Sequence, residues 1–262
     1  MPFARVNGAT LHYRIDGPAA ARGLVLLNSL GADLRMWEAL VPTLGAGYRI
    51  LRHDGRGHGS SPATPGPYTV ELLGRDLLEL LQVTGISRPH LCGLSLGGMV
   101  GIWLAAHQPG LMSSLVLCNT AARMGRPEAY DERIARVRAG GMAAVVEAVL
   151  GAWFTPAFRE GRPAEVGRAR EMILGTSPEG YAAACAAVRD FDGRRALLRV
   201  KVPTLVVAGS EDRATPPEEG RALAAGIAGA RYRELRAAHL SALEAGPELG
   251  RSVKEFLAGE EG

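Results

Sequence analysis

At 262 residues, with 47% hydrophobic and 22% charged side chains, the chain has the length for one α/β domain with an insertion and a composition that excludes a collagen-like or disordered protein. A formal net charge of +3 without any Lys/Arg-rich run excludes a nucleic-acid-binding footprint, and no stretch approaches the ~20 apolar residues of a membrane span. Cys92, Cys118 and Cys185 lack metal or disulfide-framework spacing and the N-terminus lacks a signal-peptide pattern, which together predict a cytoplasmic protein with reduced thiols.

Two short alternating runs, 3–7 and 9–15, meet at Asn7-Gly8, a pair that predicts a β-hairpin. The rhythm then changes. Apolar runs at 24–27, 48–52, 90–92, 114–118, 204–208 and 231–235 predict strands buried on both faces. Helical periodicity at 34–44, 70–83, 99–106, 218–227 and 248–257 separates most of them. The alternation predicts an α/β fold with a mostly parallel, eight-stranded sheet and helices on both faces.

The pattern breaks once, between 121 and 200. This stretch is helical, with one long segment at 131–150 and breaks near Thr155-Pro156, Arg162-Pro163 and Ser177-Pro178. It divides the chain into a first core part, 1–120, a helical cap, 121–200, and a second core part, 201–262. Its excess of arginine over acid equals the net charge of the whole chain. Open parallel sheets keep their ligands at the carboxyl ends of the strands. A cap inserted between two core strands is expected to cover that edge.

The run "HLCGLSLGG" places Gly93-Leu94-Ser95-Leu96-Gly97 after a strand and before a helix. This is the G-x-S-x-G elbow, in which a strained turn lifts a serine hydroxyl above the sheet and glycines admit the neighbouring backbones. The bland alternative is a glycine-rich turn with an incidental serine. A serine hydroxyl needs a base, and the base needs a carboxylate, in the chain order Ser, acid, His. Downstream, "VPTLVVAGSEDRATPP" offers a buried strand followed by Glu211 and Asp212. Asp212 falls where the acid belongs, and Glu211 is expected to point to solvent. Only His239 follows Asp212; His12, His53, His58, His90 and His107 all precede it. Ser95, Asp212 and His239 are therefore the candidate nucleophile, acid and base. No metal-ligand spacing is present, and this chemistry requires no cofactor.

In many hydrolases the first long loop reads His-Gly; here "NSLG" begins with Asn28. The oxyanion hole of this arrangement uses two backbone N–H groups, so a changed side chain need not destroy it. Leu96 and Leu30 are the expected donors, and Asn28 is expected to shape the loop by local hydrogen bonds.

The chain resembles the 3-oxoadipate enol-lactonases, within the α/β-hydrolases, over nearly its whole length. The resemblance is carried by "NSLGADLRMW" (28–37), "RHDGRGHGSS" (52–61), "GLSLGGMVGIWLAAHQP" (93–109), "LVLCNTAARMG" (115–125), "WFTPAF" (153–158), "TSPEGYAAACAAVRDFD" (176–192), "AGSEDRATPPEEGRALA" (208–224) and "AAHLSALE" (237–244). It departs at Leu96, where methionine is common. It implies that the enzyme hydrolyses 3-oxoadipate enol-lactone, in the degradation of aromatic compounds, through an acyl-enzyme on Ser95. A small anionic lactone would need an arginine to hold its carboxylate. Arg133 and Arg189 in the cap are the candidates, with Trp153 as a pocket wall. No nucleic-acid or membrane partner is expected, and the protein is expected to be a monomer or small homo-oligomer. The rival readings are another capped carboxylesterase or lactonase, a cofactor-free perhydrolase, and a non-catalytic ligand-binding homologue.

Overall fold

The computed structural model describes residues 2–260. β1 (Phe3–Val6) and β2 (Ala9–Asp16) form the expected hairpin. Asn7 at φ 46° and Gly8 at φ 74° supply the two left-handed positions that a tight hairpin turn demands. β3 (Arg22–Leu27), β4 (Tyr48–His53), β5 (His90–Leu94), β6 (Ser114–Cys118), β7 (Thr204–Gly209) and β8 (Arg231–Leu235) follow. The sheet has eight strands in the order β1-β2-β4-β3-β5-β6-β7-β8. β2 pairs antiparallel with both β1 and β4, and the remaining neighbours run parallel. β5, β6 and the last four residues of β3 are fully buried, because helices cover both faces and a parallel strand there has no solvent side.

The helices largely fall where the periodicity put them. α1 (Val41–Leu44), α2 (Val70–Thr84) and α3 (Leu96–His107) precede the insertion; α9 (Pro217–Gly226), α10 (Ser241–Glu244) and α11 (Gly246–Gly259) follow it. The Thr69 side chain caps α2 by accepting from Leu72 N–H, and Gly85 at φ 65° ends it in a left-handed turn. Between β6 and β7 lie α4 (Pro127–Gly140), α5 (Val146–Trp153), α6 (Pro156–Gly161), α7 (Pro163–Leu174) and α8 (Pro178–Asp190).

Two helices differ from expectation. The segment 34–44 is a 3-10 turn at Leu34–Trp37 followed by the single turn α1, because Pro42 has no N–H to give and restricts the residue before it. The segment 131–150 is split into α4 and α5 at Gly140-Gly141, where Gly141 takes φ 64°. A glycine pair there costs more helix stability than the flanking apolar spacing returns.

The insertion is pinched at its neck. Gly193 N–H donates to Ala122 O at 2.7 Å, and Arg123 bridges to Asp192. Its helices then rest on loops at the carboxyl edge of the sheet: Ser177 N–H donates to Gly57 O (2.8 Å), Tyr68 N–H to Ala183 O (3.1 Å) and Leu240 N–H to Trp153 O (2.9 Å). Among the described residues no helix is long and apolar enough to cross a membrane.

Candidate active site

Ser95 joins β5 to α3 at φ 56° and ψ −116°, a backbone conformation that non-glycine residues rarely adopt. The strain is held in place by close backbone approaches. A Cβ on Gly93 would stand 2.3 Å from Gly97 O, and one on Gly97 would stand 2.3 Å from Leu27 O. Ser95 N–H donates to Cys118 O at 3.0 Å, and Thr120 Oγ1 donates to Ser95 O at 2.8 Å. The elbow is thus fastened to the exit of β6. The Ser95 hydroxyl itself makes no hydrogen bond among the described residues. Such contacts in an unliganded site commonly close when substrate arrives.

Asp212 lies in the turn after β7 and is 3% exposed; His239 lies between β8 and α10 and is 5% exposed. His239 Nδ1–H donates to Asp212 Oδ2 at 2.8 Å, because a carboxylate can only accept. This fixes the tautomer and leaves Nε2 as the basic nitrogen. Asp212 accepts four further hydrogen bonds: Oδ2 from Asn119 Nδ2 (2.9 Å) and Thr215 Oγ1 (2.7 Å), Oδ1 from Ala214 N–H (2.8 Å) and Thr215 N–H (3.0 Å). Burial alone would push its carboxyl up. The His239 ring, the Thr215 N–H and the Asn119 amide outweigh burial and hold it down at about 2. Glu211 turns the other way, with its side chain 46% exposed and 3.8 Å from Arg236.

The loop after β3 is organised by Asn28. Its Nδ2 donates to His53 O (2.8 Å), its Oδ1 accepts from Trp37 Nε1 (2.9 Å), and its carbonyl accepts from Gly97 N–H (3.0 Å). The last bond ties the loop directly to the elbow. The N–H groups of Leu30 and Leu96 are taken up by no acceptor among the described residues. Two free donors on adjoining loops can receive a developing oxyanion.

The cap residues separate. Trp153 is 3% exposed and spans two loops: its carbonyl accepts from Leu240 N–H, and its ring lies against Gly31, as does Tyr181 of α8. Gly31, at φ 82°, could not carry a side chain there, since a Cβ would stand 3.0 Å from the Tyr181 ring. Arg133 is half-buried on α4, stacked over Tyr130 at 5.2 Å and close to the Tyr181 hydroxyl. It has no carboxylate partner among the described residues. Burial alone would lower its pKa, but the two tyrosines outweigh that and raise it, so it stays a cation. Arg189 is engaged by Asp131 (2.6 Å) and Asp190 (2.7 Å) on the outer side. An arginine already holding two carboxylates is a poorer clamp for a third, which favours Arg133 over Arg189.

Sequence reasoning missed Asn119, Thr120, Tyr181 and Thr215. The signal for the first two was present: a polar Asn-Thr pair at the mouth of the wholly apolar strand "LVLC". His53 and His58 also border the site from behind. They line a cavity of about 50 Å³ shared with Asn28, Ser29, Leu96 and Gly97. His53 Nδ1 and His58 Nε2 are buried without a hydrogen-bond partner among the described residues.

Residues 24–245 match the α/β hydrolase fold family. The 3-oxoadipate enol-lactonase 2 of Acinetobacter baylyi is 34% identical, over 94% of this chain and 92% of its own. A Variovorax paradoxus relative provisionally named carbamate hydrolase RutD is 31% identical, over 95% of this chain and 96% of its own. The crystal structure of an enol-lactonase from Burkholderia xenovorans LB400 superposes with a TM-score of 0.96 at 45% identity, covering 98% of this chain and all of that one. On these matches the chain belongs to the α/β-hydrolase family and is a carboxylic ester hydrolase of the enol-lactonase kind.

Proposed function

We propose that the protein opens the ring of 3-oxoadipate enol-lactone to give 3-oxoadipate. In this reading Ser95 Oγ attacks the lactone carbonyl and passes its proton to His239 Nε2, while Asp212 stabilises the imidazolium. The Leu30 and Leu96 N–H groups receive the oxyanion, at ~3–4 kcal/mol for each donor in comparable sites. The ring oxygen leaves as an enol, takes the proton from His239, and stays tethered within the acyl group. Water activated by His239 then releases the acid. The enol becomes a ketone, which makes the step hard to reverse.

The observation that carries the substrate assignment is Arg133. A half-buried cation with no acid partner among the described residues, beside a tyrosine that packs against Gly31, suits a substrate with a free carboxylate. A neutral ester would leave that charge without a counterpart. The enol-lactonase relatives support the same reading; the carbamate hydrolase relative makes a carbamate the second substrate class to try. The test is a spectroscopic assay with enzymatically generated enol-lactone, run beside Ser95→Ala, a neutral p-nitrophenyl ester and a simple carbamate. Turnover of the lactone far above the Ser95→Ala background is expected. Hydrolysis of the ester or carbamate without the lactone overturns the assignment.

A further inference from the structure

Asn119 is the residue of the "LCNTA" run whose side chain reaches farthest into the machinery. It stands one residue past β6, between the two strands whose ends carry Ser95 and Asp212. Its backbone takes φ 44°, a left-handed conformation that asparagine tolerates better than most residues, while its N–H still donates to Val207 O at 2.9 Å. The side chain is 2% exposed and its amide is fully used. Nδ2 donates to Asp212 Oδ2 (2.9 Å) and to Ala238 O (3.2 Å); Oδ1 accepts from Ser241 Oγ (2.5 Å). These partners fix which end of the amide is which. The space is built for it: a Cβ on Gly209 would stand 2.9 Å from Asn119 Nδ2 and 2.6 Å from Ala238 O.

We propose that Asn119 is a positioning residue for the Asp212–His239 pair. One amide grips the carboxylate oxygen that serves the imidazole, the carbonyl of the residue preceding His239, and Ser241 two residues beyond it. The acid and the histidine loop, 27 positions apart in the chain, are thereby held in one register. The neighbouring Thr120 holds the Ser95 carbonyl, so the exit of β6 braces all three loops. The other charged groups around the pair are Glu244 of α10, which accepts from Ala238 N–H at 2.8 Å, Glu211 with Arg236, and Arg213 and Arg159, which line the cleft beside Asp212. None of them bonds Oδ2, so Asn119 and Thr215 alone share that oxygen with His239 among the described residues.

This inference rests on the serine-hydrolase reading of the site but not on the lactone. The test therefore uses p-nitrophenyl acetate and fluorophosphonate labelling of Ser95. Three variants are compared with wild type at temperatures below every unfolding midpoint: Asn119→Leu, Asn119→Asp and Ser241→Ala. For the two Asn119 variants kcat is expected to fall about tenfold or more, as for other outer partners of a catalytic pair, with KM within about twofold. Ser241→Ala should lower kcat in the same way by less, again with KM nearly unchanged, and it decides the matter if the larger changes unfold. A folded variant with wild-type kcat overturns the proposal. So does a loss of activity that only follows a lowered Tm. Wild type that labels at Ser95 and cleaves the acetate but ignores the lactone breaks the substrate assignment and leaves this inference standing; wild type that does not label breaks the reading of the site itself.

Discussion

The loops at the carboxyl edge of the sheet and the helices above them hold their polar groups in opposite ways. Around Asp212, Asn28 and Asn119 at the edge, buried groups are matched by hydrogen bonds one by one. Asp212 takes five hydrogen bonds, Asn28 uses its amide nitrogen, amide oxygen and carbonyl, and Asn119 uses both ends of its amide. In the cap, charge is mostly paired at the surface, as between Arg170 and Glu147 or Arg168 and Glu165. Arg133 alone combines partial burial, a tyrosine stack and no acid partner among the described residues. In the proposed function the contrast divides two jobs: bond-making rests on geometry that the backbone and buried hydrogen bonds fix, and recognition rests on Arg133 in the cap.

Changing the edge should therefore hit turnover hardest. Asp212→Asn keeps the shape but lets the amide present an N–H to His239, which favours the wrong tautomer. A fall in kcat on the order of 10⁴ is expected, measured with any ester that wild type cleaves. A variant that keeps a tenth of the activity would mean that the acid is not Asp212. The cap should behave otherwise. Arg133→Met is expected to raise KM for the enol-lactone about ten- to a hundredfold, the worth of a charge-assisted hydrogen bond, and to leave a neutral ester nearly unaffected. Equal losses on both substrates would move Arg133 from recognition to scaffold.

Beneath the edge, the two buried histidines give the same contrast a pH axis. Burial pushes both pKa values down, His53 against the pull of Asp54 and Asp76, and His58 against its bond to the Arg56 carbonyl and the pull of Asp54 and Asp33. The native state then keeps them neutral while the unfolded chain protonates near its ordinary value of about 6.5. Unfolding takes up protons below that pH, so stability rises with pH there and is lost on acidification. The slope is at most about 1.4 kcal/mol per pH unit for each histidine. Melting curves from pH 7.5 to 5.5 should show a falling Tm that His53→Asn/His58→Gln flattens. Asp212 acts lower on the scale. Its depressed carboxyl contributes stability above about pH 4 that is lost as the pH falls toward about 2. An unaltered slope in the double variant would assign the acid loss to carboxylates instead.

The difference between edge and cap also explains what could be read in advance. The strands, the strained turn at Ser95 and the approach of His239 to Asp212 were legible because they depend on local pattern: unbroken apolar runs, a G-x-S-x-G turn, and a single histidine after the acid. The breaks at Pro42 and Gly140-Gly141 carried visible signals that periodicity overrode. Asn119 was visible as a letter but not as a bond, since its partners Asp212 and Ser241 lie 93 and 122 positions away. Arg133 and Arg189 looked equivalent because both are cap arginines near acids. In a helix Asp131 and Arg133, two positions apart, cannot face each other. Asp131 reaches across to Arg189 instead and leaves Arg133 without an acid partner among the described residues.

That crossing pair gives the smallest expected effect and the sharpest control. Arg189 is 27% exposed and its partners Asp131 and Asp190 are 59% and 58% exposed, so water screens both contacts. Exposed pairs of this kind contribute about 0–1 kcal/mol. Arg189→Ala should lower the unfolding free energy by no more than about that amount in a denaturant titration and leave KM for the enol-lactone unchanged. The pair joins α4 to α8, the helices that carry Arg133 and Tyr181, so its removal also asks whether the clamp depends on how those helices are fastened. If KM rises with Arg189→Ala as it does with Arg133→Met, the two helices are held in register by this contact. Recognition would then depend on the cap's packing as well as on a single charge, and the division between a rigid edge and an exchangeable cap would narrow.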